Sequence, residues 1–356
     1  MASPSPAPRV THFNDCAFVA RALVDAAARA GLTWGYVPPE LVRPATGFGS
    51  GAGRHGEFMH VLRHMRTART SDVIHVHYAT AVHLLQRPYI RRRPYVLHLH
   101  GTDIRRLWKA PATHDEIQRA IDGASAVYYT NLDTVEEATT ARADATYMPA
   151  FVEPQLHPAW SPGSEHGTPT VLFVSRWDDT KGFETQLETA RALRSALPAD
   201  TRLLGLDWGP AAGAAADLGV ELVPRQDHPG FLSLVASADV AIGQAAGIIA
   251  VSELEAMAIG PTVLCPVTSL QDGGDPPPVL LGTVPELVEQ CLIALEDPRA
   301  SSARMNARPW VLNKHTPDRW VPVLEKVYGG AAAGQTATPG VPGGRTLHPQ
   351  PRHTAQ

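Results

Sequence analysis

Short runs of β-branched and aliphatic residues recur along this chain, each followed by a longer stretch of helical periodicity, and few folds accommodate that alternation. Parallel strands joined by crossover helices do. In the first half the runs Val73–Val76, Tyr95–Leu99 and Ala126–Tyr129 predict strands. A link containing Pro, Gly and Ser runs from His157 to Pro169. After it the pattern resumes with Thr170–Val174, Arg202–Leu206, Val220–Val223, Val240–Gly243 and Thr262–Cys265. Two doubly wound α/β domains are expected, residues 1–156 and 157–308, and a length of 356 residues suits two.

Composition narrows the chemistry. With 44% hydrophobic and 19% charged residues, the chain buries a core and is too weakly charged for disorder. A net charge of −4 supplies no global positive field for nucleic acid. The cysteines Cys16, Cys265 and Cys291 are odd in number, far apart and without a CxxC, which argues against a disulfide framework or a thiolate zinc site and suits a reducing cytoplasm. The start is rich in Ser, Pro and Ala without the pattern of a secretion signal, and no uninterrupted apolar run is long enough to cross a bilayer.

Beyond the second domain, Thr283 and Glu286 have the spacing of a capping box, with Pro285 in the first turn of a helix over Val284–Leu295. Residues 309–328 hold Trp310, Val311, Leu312, Trp320, Val323, Leu324 and Val327 at roughly helical spacing, which predicts a last helix returning toward the first domain. Residues 329–356 lack periodicity and read as a disordered tail.

Two segments carry chemistry. In Val171-Leu-Phe-Val-Ser-Arg-Trp-Asp-Asp-Thr-Lys-Gly-Phe, an apolar strand ends, Arg176 and Lys181 follow in the loop, and a helix begins at Phe183. Two cations at the carboxyl end of a parallel strand, beside the amides of a helix start, make an anion site, although a solvated loop is the plainer reading. In Gly243-Gln-Ala-Ala-Gly-Ile-Ile-Ala-Val-Ser-Glu-Leu-Glu-Ala-Met, a small-residue loop leads into a helix. There Glu253 has the look of a solvated helix position. Glu255 lies in an apolar stretch and needs a partner, which the hydroxyls of a sugar would supply.

Both segments, in this order and spacing, resemble the strand, Arg-x4-Lys-Gly loop and acidic nucleotide-sugar helix of the retaining GT-B glycosyltransferases of the family 4 type. His98-Leu-His-Gly-Thr-Asp is similar to that family's first-domain histidine motif, Met148-Pro-Ala-Phe-Val-Glu-Pro to its interdomain linker, and Ala236-Ser-Ala-Asp-Val to the segment before the acidic helix; the likeness covers roughly residues 10 to 328. The resemblance implies two Rossmann-like domains facing a cleft, with the acceptor bound by the first and a nucleotide-diphosphate sugar by the second. It implies that Arg176 and Lys181 neutralise the departing diphosphate, that Glu255 holds the ribose, and that His100 stands near the transferred sugar. Asn14 and Asp15 would lie on the acceptor side, where capping is an equal role, and Asp103 would orient the loop beside them. The family often has a second glutamate where this chain has Gly247. The backbone amides of Gly247, Ile248 and Ile249 are then the groups expected to meet the donor.

His75-Val-His77 and His98-Leu-His100 each send a pair of imidazoles to one face of a strand. Such pairs suggest a metal, yet neither HExxH nor Asp-x-Asp accompanies them, so a metal-independent protein is expected. Arg54, Arg63, Arg66 and Arg69, with His55, His60 and His64, alternate with Phe58, Met59, Val61, Leu62 and Met65. A stretch of that kind suits weak contact with an anionic membrane surface, though most merely have a solvated face. Arg91 to Arg93 read as an exposed turn.

The expectation is a retaining, hexosyltransferase-type enzyme that moves a sugar from a nucleotide-diphosphate donor to a hydroxyl on a small molecule, glycan or lipid. Two other readings stay open: a catalytically silent nucleotide-sugar-binding homologue, motivated by Gly247, and a metal-dependent hydrolase built on the HxH pairs.

Overall fold

The computed structural model describes residues 7–44, 54–335 and 341–342, except the side chains of Arg54 and His55. The chain forms two compact units. One runs to Phe151 and resumes at Pro317, and the other is Val152–Thr316. Each contains one six-stranded, all-parallel sheet.

The first sheet is built from β1 (Val10–Phe13), β2 (Gly35–Val37), β3 (Val73–His77), β4 (Tyr95–Leu99), β5 (Ala126–Tyr129) and β6 (Thr146–Tyr147), in the order β2-β1-β3-β4-β5-β6. The order reverses between β1 and β3, the point at which open α/β sheets bind ligands outside the carboxyl ends of their strands. Phe13, Ile74, Val76, Leu97, Leu99 and Val127 fill the core on one face. On the other face Val10, Val73, Val96 and Ala126 pack beneath helix Val19–Arg29 and helix Val321–Ala332.

The second sheet contains β7 (Thr170–Phe173), β8 (Arg202–Asp207), β9 (Glu221–Pro224), β10 (Val240–Ile242), β11 (Thr262–Cys265) and β12 (Leu280–Leu281). Read from its far edge the order is β9-β8-β7-β10-β11-β12, the nucleotide-binding order with its reversal between β7 and β10. Strand residues Val171, Phe173, Val240, Ile242 and Leu264 are essentially inaccessible, as a sheet covered on both faces requires. The helix Val284–Glu296 begins as its sequence predicts, with Glu286 accepting from the Thr283 amide and hydroxyl, each at 2.8 Å.

The sequence misplaces three features. Residues 309–328 are not one helix. Ala307–Lys314 and Val321–Ala332 are separate helices, divided before Pro317, which lacks an amide and pushes its predecessor out of helical geometry. Val311 packs in the second unit, whereas Trp320, Val321, Leu324 and Val327 pack in the first. The second helix continues through Ala332, into the stretch read as tail; most of the remainder lies outside the described residues. The break between units falls at Phe151/Val152 and Thr316/Pro317, not at 156/157 and 308/309. Of the basic stretch, the side chains of Arg54 and His55 lie outside the described residues.

Candidate functional site

In the second unit the chemistry gathers at the carboxyl edge of the sheet. Strand β7 leads to Arg176, then to a tight turn over Asp179–Lys181 that Asp178 caps by accepting from the amide and hydroxyl of Thr180. Arg176 forms an ion pair with Asp178 and donates to Thr180 Oγ1 at 3.1 Å. Gly182 follows at φ +68°, a conformation that favours glycine. A Cβ there would stand 2.8 Å from the Ala245 carbonyl oxygen. That close approach brings the loop after β7 against the loop after β10. Lys181 Nζ donates to Gln244 Oε1 at 3.0 Å, and the Ala245 amide donates to the Lys181 carbonyl at 2.9 Å. Gln244 is fully buried, and its Nε2 has no hydrogen-bond partner among the described residues.

Glu253 is not the solvated position its sequence suggests. It is wholly buried, and its carboxylate accepts from the amides of Gln244 and Ala250, each at 3.0 Å, and from Ser252 Oγ at 3.1 Å. The helix begins at Val251, so Gly247, Ile248 and Ile249 lie in the loop before it, and Glu253 already takes the amide of its N-cap residue. Gly247 has φ +71°, and a Cβ there would meet nothing closer than the Ser269 carbonyl oxygen at 4.0 Å. The obstacle to a side chain at 247 is therefore backbone conformation, not space.

Glu255, 3% exposed, meets His228 Nε2 at 2.5 Å. This hydrogen bond is the main reason the His228 imidazole holds its proton above its usual range. The sequence reading missed His228, as it missed Gln244, Trp208 and Arg225. The Trp208 ring, 38% exposed, has two guanidiniums against it, with Arg225 4.4 Å and Arg176 5.5 Å from its centroid. Each missed residue lies within a few positions of the carboxyl end of β8, β9 or β10, which is the signal that would have found them.

The first unit prepares its own carboxyl edge. Three strands end in left-handed residues: Asn14 (φ 71°) after β1, Tyr78 (φ 84°) after β3 and Gly101 (φ 96°) near the end of β4. Ala17 and Phe18 share that conformation, so the loop 14–18 stores strain of the kind that collects at binding sites. Asn14 Nδ2 donates to the His77 carbonyl at 2.8 Å, bridging the reversal point. Asp15 accepts from the amides of Ala20 and Arg21 and from the Tyr36 hydroxyl, so its carboxylate satisfies first-turn amides of helix Val19–Arg29, whose N-cap position is Phe18. Asp103 is buried and accepts from the amides of Ala79, His100 and Ile104 at 3.0–3.2 Å, joining the loops that follow β3 and β4. Burial lifts its carboxyl to about 6 against those hydrogen bonds.

The two HxH pairs share one face, and His12 joins them. His12 lies beside His75 and His77 beside His98 in register. The face thus turns from valine at its amino end to imidazole at its carboxyl end. Burial keeps all five rings neutral, with His12 and His100 lowered to about 3. Nitrogens of His12, His75 and His77, and of His77, His98 and His100, come within 4.8 Å of one another. Imidazole binds a metal in the plane of its ring, however. His75 and His77 are stacked with planes 19° apart at 4.5 Å, and His98 and His100 with planes 27° apart at 4.4 Å. Rings so nearly parallel do not aim at one ion, and among the described residues no carboxylate completes either group.

No family model matches the chain, and no curated protein matches it. Solved structures share its architecture. A sucrose-phosphate synthase from Thermosynechococcus elongatus superposes with a TM-score of 0.65 at 16% identity, covering 92% of this chain and 100% of that one. Anabaena HepE, in complex with UDP and glucose, gives 0.63 at 16% identity over 90% and 99%. A UDP-forming α,α-trehalose-phosphate synthase from Burkholderia xenovorans gives 0.60 at 12% identity over 91% and 99%. Identity this low carries architecture, and the chemistry has to be argued from residues. Among the described residues no helix is long and apolar enough to cross a membrane. With two six-stranded parallel sheets, each reversing its strand order once, the chain has the GT-B fold of paired Rossmann-like domains.

Proposed function

We propose that this protein is a glycosyltransferase that moves a sugar, with retention and without a metal, from a nucleoside-diphosphate donor to a hydroxyl acceptor. One observation carries the reading: Arg176 and Lys181 follow β7, Glu255 follows β10, the strand order reverses between those two strands, and Lys181 reaches across to Gln244. Diphosphate oxygens would take the two cations and the buried Gln244 Nε2, and a ribose diol would take Glu255. In the reaction the bond from the anomeric carbon to the diphosphate breaks while the acceptor oxygen bonds to that carbon on the same face. The acceptor's proton passes to the departing phosphate oxygen. The protein's part is to position the partners and neutralise developing charge, generally a large share of catalysis. His100, neutral and just past the end of its strand, is the hydrogen-bonding group that the first unit would offer a substrate sugar.

HepE, solved with UDP and glucose, and the UDP-forming synthase from Burkholderia xenovorans support a UDP-sugar as the first donor to try. The acceptor is a small molecule, glycan or lipid. For a lipid, Phe58, Met59 and Leu62, all exposed on helix Arg54–Thr70 beside Arg66, would supply weak contact with an anionic membrane surface in the cytoplasm. Gly247 favours a second reading, a silent binding protein. A thermal-shift screen over UDP- and GDP-sugars tests the first step, since a ligand bound only by the native state raises its apparent stability. Release of nucleoside diphosphate by the stabilising donor supports the transferase. Stabilisation without any release supports the silent protein, and no shift with any nucleotide-sugar overturns both.

A further inference from the structure

The buried imidazoles form one continuous hydrogen-bonded chain that ends at His100. His100 Nε2 meets His77 Nδ1 at 3.1 Å, and His77 Nε2 meets His12 Nδ1 at 3.1 Å. His12 Nε2 meets the Tyr328 hydroxyl at 3.2 Å, and that hydroxyl meets His75 Nδ1 at 2.6 Å. His12, His75, His77 and Tyr328 are fully buried, and His100 is 9% exposed. The rings packed around the chain are Trp34, Tyr128 and His98, with Thr130 bonded to His98 at 2.7 Å; the buried Asp103 carboxylate beside His100 accepts from backbone amides, that of His100 at 3.0 Å among them.

Proton counting leaves such a chain two states. Four neutral imidazoles and one phenol carry five protons, and four of these occupy the four hydrogen bonds just named. The fifth sits at one end, on His75 Nε2 or on His100 Nδ1. His75 Nε2 is buried with no partner, and a buried N–H without an acceptor is rarer than an unused lone pair. The fifth proton therefore belongs on His100.

We infer that His75, Tyr328, His12 and His77 are positioning residues that hold His100 as the Nδ1–H tautomer, so that it acts on the substrate as a hydrogen-bond donor and not as a base. All four histidines of the chain then carry their proton on Nδ1, the tautomer that free histidine disfavours. Each link donates toward the carboxyl edge of the sheet: His75 to Tyr328, Tyr328 to His12, His12 to His77 and His77 to His100. At the edge a sugar hydroxyl or a ring oxygen accepts from His100 Nδ1. This role rests on the transfer reaction proposed above, but the tautomer does not.

Long-range ¹⁵N–¹H NMR of the ¹⁵N-histidine-labelled full chain reads each ring directly and requires no substrate. The expected result is a protonated Nδ1 and bare Nε2 at His12, His75, His77 and His100. A proton on His100 Nε2 in the wild type overturns the inference. His77→Leu removes the donor that fixes His100 Nε2 as an acceptor, so the ring is free to turn and protonation is shared between its two nitrogens, and turnover with a nucleotide-sugar falls roughly tenfold or more while donor KM is kept. His77→Asn, whose amide nitrogen stands where Nδ1 stood, keeps the His100 tautomer and restores most of the turnover. A His100 proton confined to Nδ1 in the leucine variant as fully as in the wild type shows that the chain does not set the tautomer, and it overturns the inference even if that variant is slow. If no nucleotide-sugar is turned over while the four tautomers are as stated, the transferase reading fails and the ordered chain stands.

Discussion

His228 Nε2 lies 2.5 Å from Glu255 Oε1, so the carboxylate that most needs a partner has an imidazole beside it before any ligand arrives. A ribose diol in this site would share Glu255 with His228. The imidazole, 23% exposed at its side chain, comes from the first residue of the neighbouring helix His228–Ala236, which Asp227 caps and whose first turn contains Pro229. The pair makes a small device on which stability depends and, in the proposed function, donor binding also.

The pH response of that device has a definite sign. His228 holds its proton more tightly folded than unfolded, mainly through its bond to Glu255. Its stabilisation is complete below the unfolded value of 6.5 and is lost as pH rises through the raised folded value. Urea unfolding from pH 5.5 to 8.5 should therefore show the wild type losing stability across that range relative to His228→Gln. Parallel curves for the two proteins would mean that the pair carries no linkage.

Arg176→Ala and Lys181→Ala should each lower sugar transfer by about 10²–10³-fold, the usual cost of removing one group that stabilises departing charge. Melting curves of both variants should stay close to the wild type, because each cation sits at the rim of a loop and not in the core. Unchanged turnover in both variants would refute the diphosphate assignment.

Glu253 and Glu255 are two positions apart and should fail differently. Glu253→Ala strands the buried amide of Gln244 and loosens the loop before Val251, at a cost of about 1–3 kcal/mol for each unsatisfied group. Glu255→Gln leaves the loop intact and should mainly weaken donor binding. Denaturant titration and calorimetric titration of the donor, run on both variants, separate these outcomes.

Gly247→Glu restores the residue type common in the resembling family, yet it should not raise activity. The left-handed backbone at 247 costs an L-residue roughly 1–2 kcal/mol. An increase in transfer by this variant would show that the missing carboxylate, and not the loop conformation, sets the donor preference.

Much of the architecture is legible in the sequence for a local reason. Burial on both faces makes each central strand a short apolar run, so Tyr95–Leu99, Ala126–Tyr129 and Thr262–Cys265 have the predicted bounds. The short edge strands Thr146–Tyr147 and Leu280–Leu281 carry too few residues to show a pattern. The spacing of Arg176 and Lys181 is visible because one loop holds both. Glu253 was misread because a carboxylate two residues from another on a helix looks solvated until the loop it caps folds over it.

What the sequence by itself determined is the alternation of strands and helices, the cations after Val174 and the pairs of histidines sent to one side of their strands. Only the tertiary structure decided what those side chains meet. Lys181 finds Gln244 across 63 positions, Glu255 finds His228 across 27, and His12 finds Tyr328 across 316. A periodicity of two assigns a residue to a face, but the neighbour on that face is chosen by strand order and by the helix that covers it. Those are properties of the folded chain as a whole, set by which hydrophobic surfaces bury one another.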